Sequence, residues 1–576
     1  MYSNLYFFIS GNKVTFLLVA SYYYIWHYYL EARPLIYSIY YRRWYYLKSI
    51  KQYKESNSNS TLSGILGQSL WYARCCVLSV SFMSGFGLPW NYDDARFNKW
   101  FDILDNDENK YQIPENVTIL RSIYKKGDPH YSNTYNGNDK DYRNFMWDDS
   151  SFKKIITPAA QAYLIMDEII LAKYFHKCIE DEYKISENHS EKLATSLLLI
   201  NSAIVQVQFA SDYLRNSDGL FVSKTDLSQN SYGDPYLEEV DGLPTVSDQA
   251  LVLKALSMLS DLLMDDKLPL FKDNNNALSV KKYADEIFQV FLDSPDEIFN
   301  SKTRDLCNVI SSSIQYYPLS QNKNAIFDYI MRLALELESR VDMSGNLTRF
   351  PFENKLTSNS SCFTAIKALM EAYKFTGIYK FLNTSMALYK KLNLLWDPVN
   401  SLYLLDNEDK YKYTLRDVGS VISGLNALRL FAKTDCKNDA ESKLLRFFNS
   451  SVNSSKLVQS SMPPPAERDF ESLFNNLRSG SESSAYVDFC NVDIPQALES
   501  GIAPVFAKKF TFSPKKRKFD INSCSFYSEY ALFTASEMLQ MNYPEIQCFY
   551  EATPCSLSNS EDTYSGGHLQ DESPKT

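Results

Sequence analysis

Apolar residues recur at three- and four-residue spacing from Thr157 to the region of residue 541, and this pattern constrains the fold more than any other feature of the 576-residue chain. Such spacing predicts a succession of helices. Several segments, such as DQALVLKALSMLSDLL, are apolar on more than one face, which is typical of a helix in an inner layer. After a first helix that begins at Thr157-Pro158, the predicted helices are 191–214, 247–264, 279–294, 305–317, 322–340, 360–376, 379–393, 417–433, 438–449 and 525–540.

Turns punctuate these helices in a regular way. Every second helix is followed by turn-forming residues and a short apolar or aromatic run. A recurrence of about 50 residues matches one helical hairpin plus a loop and indicates a repeat architecture in which hairpins stack on their neighbours. Unrelated helices joined by ordinary turns are the alternative. The four turns lie at 217–221, 294–299, 344–350 and 396–403.

The loops DGLF (218–221) and WDPVNSLY (396–403) resemble those of six-hairpin, or (α/α)6, toroids. This superfamily includes many glycoside hydrolases, the N-acylglucosamine 2-epimerase-like proteins and the helical part of some thioredoxin-fused proteins. The resemblance covers about 157–541 and implies an all-α, (α/α)6-type toroid more directly than any activity. Epimerases of this kind use His as acid and base, whereas only His176 and His189 fall in the repeat. No C-x-x-C precedes the helices, so the thioredoxin-fused type is not matched.

The pattern also divides the chain into four parts. The residues between the predicted helices 438–449 and 525–540 interrupt the repeat, and 506–519 alternate aromatic and basic residues, which predicts a short β-hairpin excursion. The predicted parts are a hydrophobic and basic N-terminal segment with a polar linker (1–61), an irregular covering segment (62–156), the toroid (157–550, with the excursion at 450–520) and a disordered tail (551–576).

Residues 14–30, VTFLLVASYYYIWHYYL, form the most hydrophobic stretch. They are short for a spanning helix, which needs about 20 apolar residues. A membrane anchor, an atypical signal segment and a buried helix remain open. If the stretch spans a membrane, the excess of Lys and Arg after it predicts a cytoplasmic location for the bulk of the chain.

In a toroid the inner helices share one open face, so residues at their starts are candidate site residues. Asp248, Asp305 and Asp417 lie at three of the predicted starts. Two carboxylates that flank a sugar suffice for glycoside hydrolysis, and the trio is therefore a candidate catalytic set. Asp is also favoured at helix starts as a local cap, which is the competing interpretation.

Other residues near these starts are candidates for substrate binding. Arg304 and Arg416 are suited to an anionic group, while Trp396 and Tyr403 are able to stack on a sugar ring or to pack in the core. Further acidic candidates precede Asp248 in the chain, at Glu238, Glu239 and Asp241.

Composition excludes several classes of function. A net charge of −10 disfavours a nucleic-acid surface. Neither a Walker-type loop nor a G-x-G-x-x-G is present. Five His and ten Cys without zinc spacing predict no metal site and no cofactor. Because no catalytic motif stands out, a non-catalytic protein that binds a glycan or protein on its concave face is the first hypothesis. The alternative is a carbohydrate-active enzyme, hydrolase-like, with Asp305 and Asp417 as its acid–base pair.

Overall fold

The computed structural model describes residues 62–90, 119–131, 145–181, 189–231, 233–405, 411–455, 457, 506–523 and 525–542. Contacts group all of these residues except 398–400 into one compact unit. Thirteen α-helices lie within the described ranges: α1 (Leu62–Leu78), α2 (Pro158–Asp181), α3 (His189–Tyr213), α4 (Val246–Met264), α5 (Asn274–Asp293), α6 (Pro295–Phe299), α7 (Thr303–Tyr316), α8 (Lys323–Ser339), α9 (Asn359–Thr376), α10 (Tyr379–Leu392), α11 (Leu415–Phe431), α12 (Thr434–Phe448) and α13 (Ser528–Asn542).

Six helices form a closed inner ring. In order around the ring they are α2, α4, α7, α9, α11 and α13; each packs against the next, and α13 packs against α2. Each inner helix is also backed by one outer helix, in the pairs α2–α3, α4–α5, α7–α8, α9–α10, α11–α12 and α13–α1. The predicted toroid of helical hairpins is therefore confirmed.

The two layers differ in how their helices are buried. Inner helix α4 buries 13 of its 19 residues and so presents buried residues on most sides. Outer helix α5 buries only one stripe, in which the residues follow each other at spacings of mostly three or four. This contrast is the one that the sequence pattern predicts for an inner and an outer layer. The α5 stripe consists of Ala277, Val280, Ala284, Ile287, Phe288 and Phe291.

The sixth outer helix comes from the N-terminal side of the repeat. Helix α1 falls in the predicted covering segment 62–156, in which the apolar stretch 62–90 predicts a helix and a turn but not a place in the toroid. In the structure it packs on α13, where the Asn542 side chain donates a hydrogen bond to Ser69 Oγ at 2.8 Å. The outer layer of the toroid therefore includes residues 62–78. The hairpin period does not reveal this, because 79 residues separate Leu78 from Pro158.

Small antiparallel sheets cover the ring, and the predicted β-hairpin excursion is confirmed as β11 and β12. Strand β11 lies between β10 and β12, β3 lies between β13 and β4, and β6 lies between β5 and β7, while β1–β2 and β8–β9 are two-stranded. The strands are β1 (Gly87–Pro89), β2 (Leu120–Ile123), β3 (Lys126–Tyr131), β4 (Phe145–Lys153), β5 (Ile155–Ile156), β6 (Lys224–Asp226), β7 (Leu237–Glu239), β8 (Trp396–Asp397), β9 (Leu402–Tyr403), β10 (Tyr411–Thr414), β11 (Lys509–Ser513), β12 (Lys518–Ser523) and β13 (Phe526–Tyr527).

Within the described ranges, no helix is both long enough and apolar enough to cross a membrane. The hydrophobic stretch 14–30, the polar linker and the tail 551–576 lie outside the described residues, as does 458–505 of the excursion.

Candidate functional site

The first turns of four inner helices bring charged side chains together at one end of the ring. The carboxyl group of Asp248 on α4 interacts electrostatically with those of Asp305 on α7 and Glu529 on α13. Arg304 on α7 interacts in the same way with Arg416 on α11 and with Glu529. We call these five residues the mouth cluster. All five are half-buried, so their charged groups interact strongly and remain open to a ligand.

The three candidate aspartates hold equivalent positions in their helices. Asp248, Asp305 and Asp417 are each the third residue of their helix. The capping positions belong to Thr245, Lys302 and Thr414 instead. Each aspartate therefore lies three residues after the N-cap of its helix, and not at the N-cap position that the competing interpretation assigns to it.

Asp417 is nevertheless engaged locally. Its Oδ2 accepts hydrogen bonds from the Thr414 backbone N–H at 2.9 Å and from Thr414 Oγ1 at 2.6 Å. The Asp417 N–H in turn donates to Thr414 Oγ1 at 3.2 Å, which completes a capping box. The carboxyl group of Asp417 also interacts electrostatically with Arg304. Its carboxylate thus accepts two hydrogen bonds from the residue that caps its own helix.

The environment of Asp248 favours the protonated form. Burial is the main cause that raises the pKa of its carboxyl group, and the negative charges of Glu529 and Asp305 add to it, giving a pKa of about 6. The hydrogen bond with Thr245 and the charge of Lys125 act in the opposite direction. A carboxyl group with such a pKa is suited to donate a proton near neutral pH.

The environment of Asp305 contains several cations. Burial raises the pKa of its carboxyl group, and nearby positive charges oppose that rise. Cations beside a carboxyl group favour its ionised form. Asp248 and Asp305, on neighbouring inner helices, therefore have different surroundings. The cations are Lys302, Arg304, Arg416 and Arg349.

Arg304 and Arg416 supply the positive side of the mouth cluster. Burial, and then the neighbouring charge of Arg416, lower the pKa of Arg304 to about 10. Arg416 Nη1 lies 3.4 Å from Glu529 Oε1, in an ion pair that holds the guanidinium on the α13 side. Each guanidinium also lies over a ring, Arg304 5.7 Å from the centre of Phe533 and Arg416 5.5 Å from that of Tyr530. Such planar donors are suited to polar or anionic ligands.

Trp396 and Tyr403 face each other across the β8–β9 hairpin, with ring centroids 4.8 Å apart. Tyr403 is fully buried and its ring centroid lies 4.9 Å from that of Phe363, so its ring has no face open to a ligand. Trp396 is half-buried, with the Arg446 guanidinium 5.5 Å from its ring centre. Glu238, Glu239 and Asp241 are exposed.

A small polar cavity lies deeper, between the inner helices, and we call it the axial chamber. Its volume is about 40 Å³ for the centres of water molecules. Asn308 and Ser311 in its wall follow Arg304 at spacings of four and three, so they lie on one helix face that leads down from the mouth. Ser311 lies six positions after Asp305, which is a rise of about 9 Å along the helix. Polar residues in its lining are Lys254, Asn308, Ser311, Thr364, Lys367, Glu371, Ser423, Ser536, Glu537 and Gln540.

Two aromatic rings interact with both the mouth cluster and the chamber. Tyr163 and Phe533 both line the chamber, and their ring centroids are 5.5 Å apart. Phe533 also carries the Arg304 guanidinium on its face, and Tyr163 interacts with the charges of Arg304 and Arg416. The mouth cluster and the axial chamber are therefore adjacent parts of one polar core.

Sequence reasoning missed Glu529 and the charged residues of the chamber. Glu529 is in the first turn of α13, so the rule that selected the three aspartates would have selected it too. Lys254, Lys367 and Glu371 lie in the middle of helices that are otherwise mostly buried. A charge in such a position is the available signal, because it requires a partner or a ligand.

No group of three or more His, Cys, Asp or Glu side chains within the described ranges is arranged to hold a metal ion. The two His of the repeat, His176 and His189, are on α2 and α3, outside the mouth cluster.

No protein-family model matches the sequence, and no curated protein matches it either. Among solved structures, a cellobiose 2-epimerase from Bacillus thermoamylovorans is 10% identical, with 77% of this chain and 95% of that chain covered and a TM-score of 0.41. A D-mannose isomerase is 10% identical, with 78% and 98% covered and a TM-score of 0.44. A GH76 α-mannanase from Bacteroides thetaiotaomicron is 11% identical, with 69% and 91% covered and a TM-score of 0.39. Likenesses of this size assign no residue and no activity.

Proposed function

We propose that the mouth cluster binds a carbohydrate and cleaves a glycosidic bond, with Asp248 as general acid and Asp305 as the second carboxylate. The observation that carries this proposal is the electrostatic interaction between the half-buried carboxyl groups of Asp248 and Asp305, which lie on adjacent inner helices. Their surroundings differ, since burial and then two neighbouring carboxylates raise the pKa of Asp248 to about 6, whereas four cations oppose the rise that burial causes in the pKa of Asp305. When two carboxyl groups have such different surroundings, one is able to act as the acid and the other as the base.

The other members of the cluster have positioning roles in this proposal. Arg304 and Arg416 donate hydrogen bonds to sugar hydroxyls or to an acidic sugar, and Glu529 holds Arg416 through their ion pair. Asp417 stabilises the start of α11 and takes no part in the chemistry. This replaces the expected Asp305–Asp417 pair with an Asp248–Asp305 pair.

Reducing-end release from α-1,6-manno-oligosaccharides and cello-oligosaccharides tests the proposal. Asp248→Asn removes the proton donor, and we expect kcat to fall by roughly 100-fold or more. Because the acid must be protonated, the wild-type rate should fall as pH rises above about 6. Asp218→Asn is the matched control, since Asp218 is an exposed carboxylate outside the mouth cluster, and it should keep full activity.

One result would contradict the enzyme proposal, and another would contradict the choice of Asp248 as the acid. If an oligosaccharide binds and is not turned over, the first sequence hypothesis of a non-catalytic binding protein is favoured. If turnover occurs and Asp248→Asn retains it, the acid has been assigned to the wrong residue.

A further inference from the structure

The axial chamber contains two ammonium groups and two carboxyl groups, and one of each is already satisfied. Lys367 Nζ donates to Glu537 Oε1 at 2.6 Å, to Glu537 Oε2 at 2.8 Å and to Gln540 Oε1 at 2.8 Å. An ammonium group has three protons to donate. The Lys367–Glu537 pair therefore has no capacity left for a ligand on its ammonium side.

The other two charges form what we call the split pair, Lys254 and Glu371. Lys254 Nζ donates to Ser311 Oγ at 2.8 Å, and among the described residues it has no second hydrogen-bond partner. Glu371 is only 5% exposed, and its Oε2 has no partner in the described part of the chain. Glu371 is the charge that acts most strongly on Lys254, yet no hydrogen bond joins them. Buried polar groups seldom stay unsatisfied.

The chemistry of the split pair selects the kind of group that fits between them. A hydroxyl both donates and accepts, so one hydroxyl is able to donate to Glu371 Oε2 and accept from Lys254 Nζ. The two ammonium and two carboxylate groups of the chamber balance in charge, which disfavours an ion. Thr364 Oγ1, also buried and without a partner among the described residues, offers a further contact.

The size of the chamber limits the ligand further. A water molecule needs roughly 10–15 Å³ of volume measured to its centre, so a cavity of about 40 Å³ holds a few waters. That space is too small for a pyranose ring and sufficient for a side group of two heavy atoms. The ring itself would have to lie above Tyr163 and Phe533, at the mouth.

We propose that the split pair is a subsite for the exocyclic hydroxymethyl group of a hexose whose ring occupies the mouth cluster. This inference rests on the proposed function and adds to it the feature of the sugar that is recognised. Lys254 and Glu371 are binding residues in this arrangement, since they contact the hydroxymethyl oxygen and not the glycosidic bond.

Binding of D-mannose and D-glucose, each compared with its 6-deoxy form by NMR titration, tests the subsite. A hydrogen bond to a charged group is worth a factor of about 10 or more in affinity, so the wild type should bind both 6-deoxy sugars at least tenfold more weakly. In Lys254→Met and Glu371→Gln this discrimination should fall towards one. Ser423→Ala alters the chamber wall outside the split pair and should preserve it.

The outcomes separate the two proposals. If the wild type binds a hexose and its 6-deoxy form equally, the subsite is overturned and the proposed function stands. If neither hexose binds, the subsite is overturned, and the proposed function is decided by the release of reducing ends from the oligosaccharides. Discrimination that persists in Glu371→Gln and Lys254→Met assigns the recognition of the hydroxymethyl group to other residues. Glu371→Gln keeps the shape of the side chain, so it decides the question even where Lys254→Met does not fold.

Discussion

Gly424 lies where two inner helices of the ring approach each other closely. A Cβ atom there would lie 2.7 Å from the Phe363 carbonyl oxygen and 2.8 Å from Phe363 Cβ. Gly424 is in α11 and Phe363 in α9, so the absence of a side chain sets the distance between these neighbours. Helix propensity alone favours Ala over Gly by about 1 kcal/mol, and close packing opposes it here.

Gly424→Ala should therefore lower the free energy of unfolding by about 1–3 kcal/mol, which is the usual effect of overpacking. Urea unfolding followed by circular dichroism measures this change. Gly233→Ala is the control, because a Cβ at Gly233 would meet its nearest neighbour at 3.9 Å. A variant at 424 as stable as the wild type would contradict the proposed contact between the helices.

At the scale of elements, α1 completes the outer layer of the toroid although it lies far from α13 in the sequence. Ile65 on α1 is fully buried, whereas Ser63 on the same helix is exposed. A charge introduced at each of these two positions in turn therefore tests whether α1 is packed into the core of the toroid.

Ile65→Asp places an unpaired charge in the core and should lower the free energy of unfolding by about 4 kcal/mol or more. Ser63→Asp puts the same charge in the first turn of the helix, where it should change stability by less than about 0.5 kcal/mol. Thermal melts of both variants measure the difference. Equal melting temperatures would show that α1 does not contribute to the core.

The hairpins were predictable because each one carries its own periodic pattern and turn. The starts of α4, α7 and α11 followed from the same local signals, and so did Asp248 and Asp305 as candidates. What the sequence did not reveal depends on distant parts of the chain. The pairing of α1 with α13 and the proximity of Lys254 to Glu371 are long-range facts that no local pattern records, whereas the capping of α11 by Thr414 and Asp417 agrees with the local interpretation of that aspartate.

At the scale of the whole molecule, Glu168 joins the N-terminal side of the ring to the first hairpin. Its Oε1 accepts hydrogen bonds from Ser81 at 2.6 Å, Ser202 at 2.8 Å and Gln206 at 2.9 Å. Ser81 lies in the segment that follows α1, and the other two donors lie on α3. Burial raises the pKa of this carboxyl group to about 8, against the hydrogen bonds, which lower it.

This shift predicts how stability depends on pH. Between about pH 4.5 and 8 the unfolded chain loses the Glu168 proton while the folded chain keeps it, so the free energy of unfolding falls as pH rises through this window. The slope from this group is at most about 1.4 kcal/mol per pH unit. Asp248 and Asp305 act in the same direction, because their pKa values are also raised.

Glu168→Gln keeps an oxygen for the three donors and removes the titration. Melting temperatures at pH 5, 6.5 and 8 should fall less steeply in this variant than in the wild type. Parallel curves for the two proteins would mean that Glu168 is not the group responsible.

The neighbourhood of α1 and α13 has a consequence for biosynthesis. Leu62 is synthesised hundreds of residues before Asn542, yet α1 and α13 pack against each other in the folded protein. The apolar face of α1 therefore lacks its partner helix until almost the whole toroid has been translated. Contacts this distant in the chain slow folding. In a rearranged protein that carries residues 62–78 after residue 542, α1 and α13 would be neighbours in the sequence. Their packing would then be a local contact and would no longer slow folding.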